Sequence, residues 1–321
     1  MKTRNILYAI LALLFAASCS NTKYLAEGEL LYVGASVKVD DKDLAKKQRK
    51  ALKKELEDLT RPLPNKKILG LRPKLYFYNI AGTPKKEKGF RHWLKYKVGE
   101  PPVTFGKVDL KYNTDVLQSY AENKGYFIAA TSADSTRHGK KATAEYTIKP
   151  GKQWKIRNVI YPQDSTELNK AITRTLGRSG KRGLLKPSDS YDLDVIKAER
   201  ERIDTRLKEK GYYFFNADYL KVQVDSTVGK YEVELLVKVK PETPDNARET
   251  YKINDIVIYQ NYSINEDENK ITTKDSVMKY KDLTIIDTAD TFNPRIYDRT
   301  LYFHKGDLYN RTDHNLSLNR L

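Results

Sequence analysis

A degenerate internal repeat constrains this chain more than any other feature. Lys124-Gly125-Tyr126-Phe127 recurs as Lys210-Gly211-Tyr212-Tyr213, and an Asp-Ser-Thr tripeptide follows in each copy, at 134–136 and 225–227. A charged alternating run then closes at Lys149-Pro150 and at Lys240-Pro241. An aromatic-led strand opens the next copy, Trp154–Ile160 and then Tyr251–Val257. Four landmarks in one order define a repeated unit, and repetition must be settled before single motifs are weighed. With 321 residues, the chain has room for two or three such modules.

Each unit has a physical logic. Ahead of Gly211, Leu193, Ile196, Ile203 and Leu207 fall at helical spacing, with Arg200 completing the stripe. Asp192 or Ser190 can cap that helix, and Gly211 suits the left-handed position that ends one. Leu220, Val222 and Val224 then alternate with Lys221 and Gln223, and Tyr231, Val233, Leu235, Val237 and Val239 alternate with polar residues. Two amphipathic strands in succession predict a hairpin with one buried face, its turn set at Asp225–Lys230. The earlier copy is weaker, with Val116, Leu117, Tyr120 and Ala121 as its stripe and Ala144, Tyr146 and Ile148 as its alternating strand. A further helix is predicted from Ser165 to Leu176, which gives the second unit the order strand, helix, helix, strand, strand.

The N-terminus sets the compartment. Lys2 and Arg4 precede the apolar run Ile6–Ala17, and the small residues Ala16, Ala17 and Ser18 lead to Cys19. Charged region, short apolar region and small-residue cleavage site are the parts of a secretory signal. Cys19 is the only cysteine, so no internal disulfide can form. Its position resembles the lipobox of bacterial lipoproteins, in which that thiol is acylated. Residues 1–18 read as a signal peptide and 19–27 as a lipidated tether facing the periplasm.

The order strand–helix–helix–strand–strand, with a helix-ending Gly-Tyr, resembles the POTRA domain, a repeat that precedes the β-barrel of outer-membrane assembly and translocation proteins. The opening Cys19-Ser20-Asn21-Thr22-Lys23-Tyr24-Leu25, the segment Leu75–Asn79 and the run Trp93–Val103 with its Gly-Glu-Pro-Pro resemble the lipidated, TamL-like branch of the Bacteroidota. The resemblance implies an α+β fold of tandem POTRA-like β-α-α-β-β repeats. A first would span 28–151, with a helix at Leu44–Leu59 and an insertion at about 60–103. A second would span 152–244. The third, 249–321, is incomplete: it opens with Tyr251–Tyr259, passes through a polar stretch and reaches Lys305–Asn310 without its closing hairpin. No barrel strands follow, so the expectation is a fragment of a larger protein or a truncated gene.

The resemblance also implies a function. The chain would be the periplasmic region of an outer-membrane assembly factor, with unfolded outer-membrane clients, a membrane β-barrel in the full-length protein and an inner-membrane-spanning, TamB-like protein as partners. Exposed second strands would pair with extended client strands through the backbone. The residues concerned are Tyr219, Leu220, Lys221, Val222, Gln223 and Val224 in the second unit, and Phe127 and Ile128, continuing to Ser132, in the first. The rival reading is a self-sufficient lipoprotein that binds an anionic envelope polymer or lipid, suited by a net charge of +17.

No enzyme chemistry is legible. His92, His138, His304 and His314 lack metal-ligand spacing, and neither a Gly-x-Ser-x-Gly turn nor a P-loop occurs. No cofactor is implied, and no nucleic acid, since the basic residues do not fall on a helix-turn-helix or RNP pattern. Gly177–Gly183 is glycine-rich and basic and reads as a connection between helices rather than a phosphate cradle. Phe90 and Trp93 are expected to anchor the insertion onto the first unit, and Trp154 and Tyr251 to pack as core. Asp-Ser-Thr, Asp275-Ser276-Val277 and Asp287-Thr288-Ala289 resemble O-glycan acceptors of the Bacteroidota, and Asp-Ser-Thr is also ordinary turn chemistry.

Overall fold

The computed structural model describes residues 21–259, 277–286 and 292–321. Cys19, its leader, Asp275-Ser276 and Asp287-Thr288-Ala289 lie outside them. The fold is α+β, built on three small mixed sheets of three strands each. The chain divides into two compact units, Met1–Gln153 and Trp154–Leu321.

In the first unit, β1 (Leu31–Val39) is followed by α1 (Lys46–Leu59), then by α2 (Pro73–Ala81) and the short helix α3 (Phe90–Trp93), which runs into a π-turn at Leu94–Val98. After these come α4 (Leu110–Asn123), β2 (Ala130–His138) and β3 (Lys141–Lys149). The sheet order is β1-β3-β2, with β1 parallel and β2 antiparallel to the central β3. Alternation in β3 sends Ala142, Ala144, Tyr146 and Ile148 into a core closed by Leu52 and Leu56 of α1 and by Leu117 and Ala121 of α4. Asp109 caps α4 by accepting from the Tyr112 amide, and Gly125 ends the helix at φ +86°.

The second unit opens with the same plan: β4 (Lys155–Ile160), α5 (Glu167–Arg174), α6 (Leu193–Lys208), β5 (Leu220–Gly229) and β6 (Glu232–Val239), in the sheet order β4-β6-β5. The predicted stripe of α6 holds, with Ile196, Ile203 and Leu207 buried. Of the two candidate caps, Asp192 serves, accepting from the Asp194 amide at 2.9 Å. The turn is tighter than expected. Pairing runs through Asp134-Ser135-Thr136 inside β2, and in the second copy the strand reaches Gly229, leaving Lys230 and Tyr231, at φ +63°, to reverse the chain. Backbone pairing here outcompetes the local side-chain turn of Asp225 and Thr227, which is kept as a bulge in the ladder.

The third sheet departs from expectation. β7 (Ile256–Tyr259) lies parallel to β9 (Leu283–Ile286), and β8 (Val277–Tyr280) pairs antiparallel with β9. A hairpin therefore stands inside the stretch read as polar, because Leu283 and Ile285 bury against Ile256 and Leu301. It precedes the helices α7 (Arg295–Thr300) and α8 (Arg311–Leu318) instead of following them. The repeat is still evident in one detail. In each repeat a strap just before a capped helix bridges the first residue of the leading strand or the run just ahead of it, as Leu31 with Thr104, Lys155 with Ser190 and Lys252 with Leu308. The caps are Asp109, Asp192 and Asn310.

Candidate partner-strand site

β5 forms one margin of its sheet, and its orientation is fixed from within the unit. Arg200 on α6 donates through Nε to the Ala217 carbonyl at 3.0 Å and through Nη2 to Asp218 at 2.8 Å, holding the 3₁₀ turn that launches the strand. Lys240 N donates to the Tyr219 carbonyl, which makes Tyr219 and Lys240 a hydrogen-bonded pair of the ladder. Such pairs alternate along antiparallel strands, so Lys221 and Gln223 also bond inward to β6. Leu220, Val222 and Val224 therefore turn their own N–H and C=O groups to the outer margin. The side chains of this strand serve the core instead, Leu220 buried and Val222 half-buried against the residues beneath.

Two of the eight expected pairing residues are displaced and one is shifted. Tyr219 belongs to the 3₁₀ turn rather than the strand. In the first unit β2 begins only at Ala130, because Tyr126 N returns to the Ala121 carbonyl and Ala129 N to Tyr126, which curls Phe127 and Ile128 into a turn. Ile128 instead covers Gly151, where an added Cβ would lie 2.7 Å from its side chain. The margin of the first sheet is thus Ala130–His138, largely polar and exposed.

A second open edge escaped the sequence reading. β4 pairs with β6 only as far as Ile160 and Leu236, whereas β6 continues to Val239. Beside that uncovered end lies a cleft of about 400 Å³, lined by Tyr161, Pro162 and Leu236–Val239. The first unit has no equivalent gap, since β1 follows β3 to Ile148. What it has is a basic groove of about 580 Å³ between β1 and α1, lined by Lys38, Lys46, Arg49, Lys50 and Lys53.

The unit carrying β5 is stiffened by an ion pair that sequence patterning hid. Glu199, fully buried on α6, accepts from Arg202 Nε and Nη2 at 2.7 Å each, from the Tyr161 hydroxyl at 2.7 Å and from the Leu184 amide at 2.8 Å. Arg202 also donates to the Thr175 carbonyl and hydroxyl. Burial, and then the hydrogen bond to Glu199, push the Tyr161 hydroxyl far above its ordinary range. The hydrogen bonds to Glu199 hold Arg202 protonated. Through Leu184 this network also pins the end of the glycine-rich basic loop, which runs from α5 to α6 as a helix-to-helix connection.

The insertion of the first unit is clamped at its ends by asparagines. Buried Asn65 donates to the Pro101 carbonyl at 2.8 Å and accepts from the Val103 amide at 2.9 Å. Asn113 exchanges bonds with both backbone groups of Arg61. The Gly-Glu-Pro-Pro segment has a steric role too, for a Cβ on Gly99 would meet the Lys95 carbonyl at 2.7 Å and Tyr78 backbone at 2.8 Å. Phe90 and Trp93 do not anchor the insertion. They stack on each other at 5.9 Å and stay exposed, while the buried contacts of α2 are made through Leu75 with Leu25 and Leu31. Tyr251 and Trp154 are only half-buried, and each packs edge-on against one ring, Phe214 and Tyr231 respectively.

Among the described residues, no group of three or more His, Cys, Asp or Glu could hold a metal ion, and no helix is long and apolar enough to cross a membrane. No family model matches the sequence, and no curated protein matches it. Solved structures do. POTRA3-5 of BamA from Haemophilus influenzae is 12% identical, with 92% of this chain and 87% of that chain covered at a TM-score of 0.40. The N-terminal domain of Omp85 from Thermosynechococcus elongatus is 12% identical over 92% and 85%, at a TM-score of 0.29. POTRA1-3 of Omp85 from Anabaena is 14% identical over 91% and 84%, also at 0.29.

Proposed function

We propose that this chain is the periplasmic, POTRA-like region of an outer-membrane protein assembly or translocation factor, acting as a binding scaffold without chemistry of its own. Cys19 carries the lipid that holds it to the outer membrane. Extended strands of unfolded clients, or of a TamB-like partner, add to the sheet margins by backbone pairing, and a β-barrel in the full-length protein receives them. One observation carries this reading: the margin of β5 offers the backbone groups of Leu220, Val222 and Val224 in register, while the side chains of Leu220 and Val222 hold the strand to its own core. Pairing through the backbone accepts many client sequences, as a general assembly factor must.

The alternation of the ladder supplies a clean test. Val222→Pro removes an outward N–H and leaves the inward bonds to β6 intact, whereas Gln223→Pro breaks the sheet itself. The expected result is that Val222→Pro folds normally yet loses photo-crosslinks from Lys221 to client chains. Undiminished crosslinking by a folded Val222→Pro protein would remove the margin from the mechanism. Blotting outer-membrane fractions for the native protein addresses the barrel: a heat-modifiable band well above 37.1 kDa is expected, and one band near that mass favours the stand-alone, polyanion-binding lipoprotein.

A further inference from the structure

Leu69 is 99% exposed, at the tip of a two-residue hairpin closed by bonds between Ile68 and Leu71. Leu69 and Gly70 both have positive φ, +49° and +83°. Tight hairpins of this form favour Asn-Gly at those positions. A leucine there is strained, and its side chain contributes nothing to the core. The same insertion leaves Phe90 at 72% and Trp93 at 51% exposure, with Ile68, Ile80 and Tyr96 also facing solvent. Single exposed apolar residues are ordinary, but an aromatic and aliphatic group drawn from one segment is not.

The charge of this segment is strongly positive. Residues 60–103 contain eleven Lys or Arg and two Glu, an excess of nine out of the chain's +17. Tryptophan and tyrosine interleaved with lysine is the composition of segments that lie in the headgroup region of anionic bilayers. The N-terminal segment adds an independent constraint. Asn21 is buried, and its carbonyl accepts from Asn79 on α2 at 3.4 Å. Cys19 is two residues upstream, a reach of at most about 7 Å.

We infer that the insertion is a membrane-interface module, in which Leu69, Phe90 and Trp93 enter the headgroup layer of an anionic bilayer and the surrounding lysines bind lipid phosphates. Its placement beside the anchor rests on the lipid-anchor reading of Cys19, whereas the surface chemistry does not. The tether delivers the insertion to the membrane, and the insertion fixes how the first unit lies on it.

Trp93 is one of only two tryptophans, so it can report on itself. The full chain carrying Cys19→Ser and Trp154→Phe is mixed with vesicles of phosphatidylcholine, with or without phosphatidylglycerol, containing brominated lipid as quencher. Trp93 emission is expected to shift to the blue and be quenched in anionic vesicles only. Replacing Lys85, Lys86 and Lys88 by Gln should weaken that response by about a hundredfold at low salt, at roughly fivefold per charge. Leu69→Gly is the control for folding, because glycine relieves the positive φ: it should fold at least as well as the parent and bind less tightly. Quenching that is equal in neutral vesicles overturns the recognition of anionic headgroups by the lysines. Absence of quenching in every vesicle overturns the module and assigns the patch to a protein partner. Intact mass of the native chain separates the two readings, since acylated Cys19 with an unquenched Trp93 sinks this inference alone, and quenched Trp93 with unmodified Cys19 sinks the anchor alone.

Discussion

Helix α1 of the first unit and helix α6 of the second carry opposite charge orders. α6 begins under an Asp192 cap with Asp194 in its first turn and ends with Arg206 and Lys208, the order that complements the backbone dipole. α1 begins at an uncapped Ala45 with Lys46 and Lys47, continues through Arg49 and Lys50, and collects Glu55, Glu57 and Asp58 at its end. The same fold plan thus contains one helix whose charges serve its own stability and one whose charges oppose it. The cations of α1 line the groove along β1, and with those of the insertion they give the first unit a basic surface that folding does not require. In the second unit the charges turn inward, to Glu199 and Arg202, and leave the sheet margin free for pairing. On the proposed function, that difference suits the first unit to an anionic surface and the second to holding a strand in register.

The largest test of this contrast is Glu199→Ala. Leaving Arg202 buried without its carboxylate should cost the second unit about 3–5 kcal/mol, seen in denaturant titration as early loss of that unit while the first keeps its midpoint. Coincident loss of both would mean that the two are not independent in stability. A smaller effect is expected in alkali. Tyr161 is held neutral in the folded state, so its contribution is whole below the ordinary tyrosine value of 10.0 and is lost as pH rises beyond it, where only the unfolded chain ionises. Tyr32 in the first unit, pushed up to about 12 chiefly by burial, follows the same sign. Tyr161→Phe should flatten the alkaline fall of the second unit between pH 10 and 12 and leave that of the first; an unchanged fall would locate the sensitivity elsewhere. The smallest is Ala45→Asp, which supplies the missing cap of α1 and should stabilise the first unit by about 1 kcal/mol. A thermal midpoint that does not rise would show that the start of α1 is already satisfied, for instance by the turn Asp41 makes with the Asp43 and Leu44 amides.

Much of the fold was legible because it rests on periodicity. The period-two runs of β3 and β6 and the stripe of α6 each record one buried face, and the helix-ending Gly125 and Gly211 both adopt positive φ. What escaped was chemistry in which a pattern has two meanings. Glu199 and Arg202 stand three apart on a helix, the spacing of a solvated surface pair, and only the packing of Tyr161 and the 177–184 loop over them makes the pair internal. Nothing in the local pattern marks Asn65 or Asn113, yet each closes a segment by bonding backbone more than thirty residues away. The β8–β9 hairpin was masked by Lys279, Lys281 and Asp282, which break the alternation at its turn. Leu220–Val224 do lie on a marginal strand, as their alternation predicts, whereas Phe127 and Ile128 precede theirs, because an aromatic after the terminating glycine can as well begin a turn as a strand.

The residue that ends α6 also begins the next joint. Gly211 presents its carbonyl to the Tyr251 amide at 2.8 Å, and any Cβ on it would strike Leu308 at 2.7 Å. Tyr213 meets Tyr309 edge-on at 4.8 Å, and Phe214 meets Tyr251 at 5.0 Å. A load applied to a strand held on β5 would pass along that strand's short connection to α6 and into these rings, with no slack polymer between to absorb it. A strand captured on the β5 margin, as proposed, would therefore be coupled to the following sheet through packed rings rather than through a loose linker.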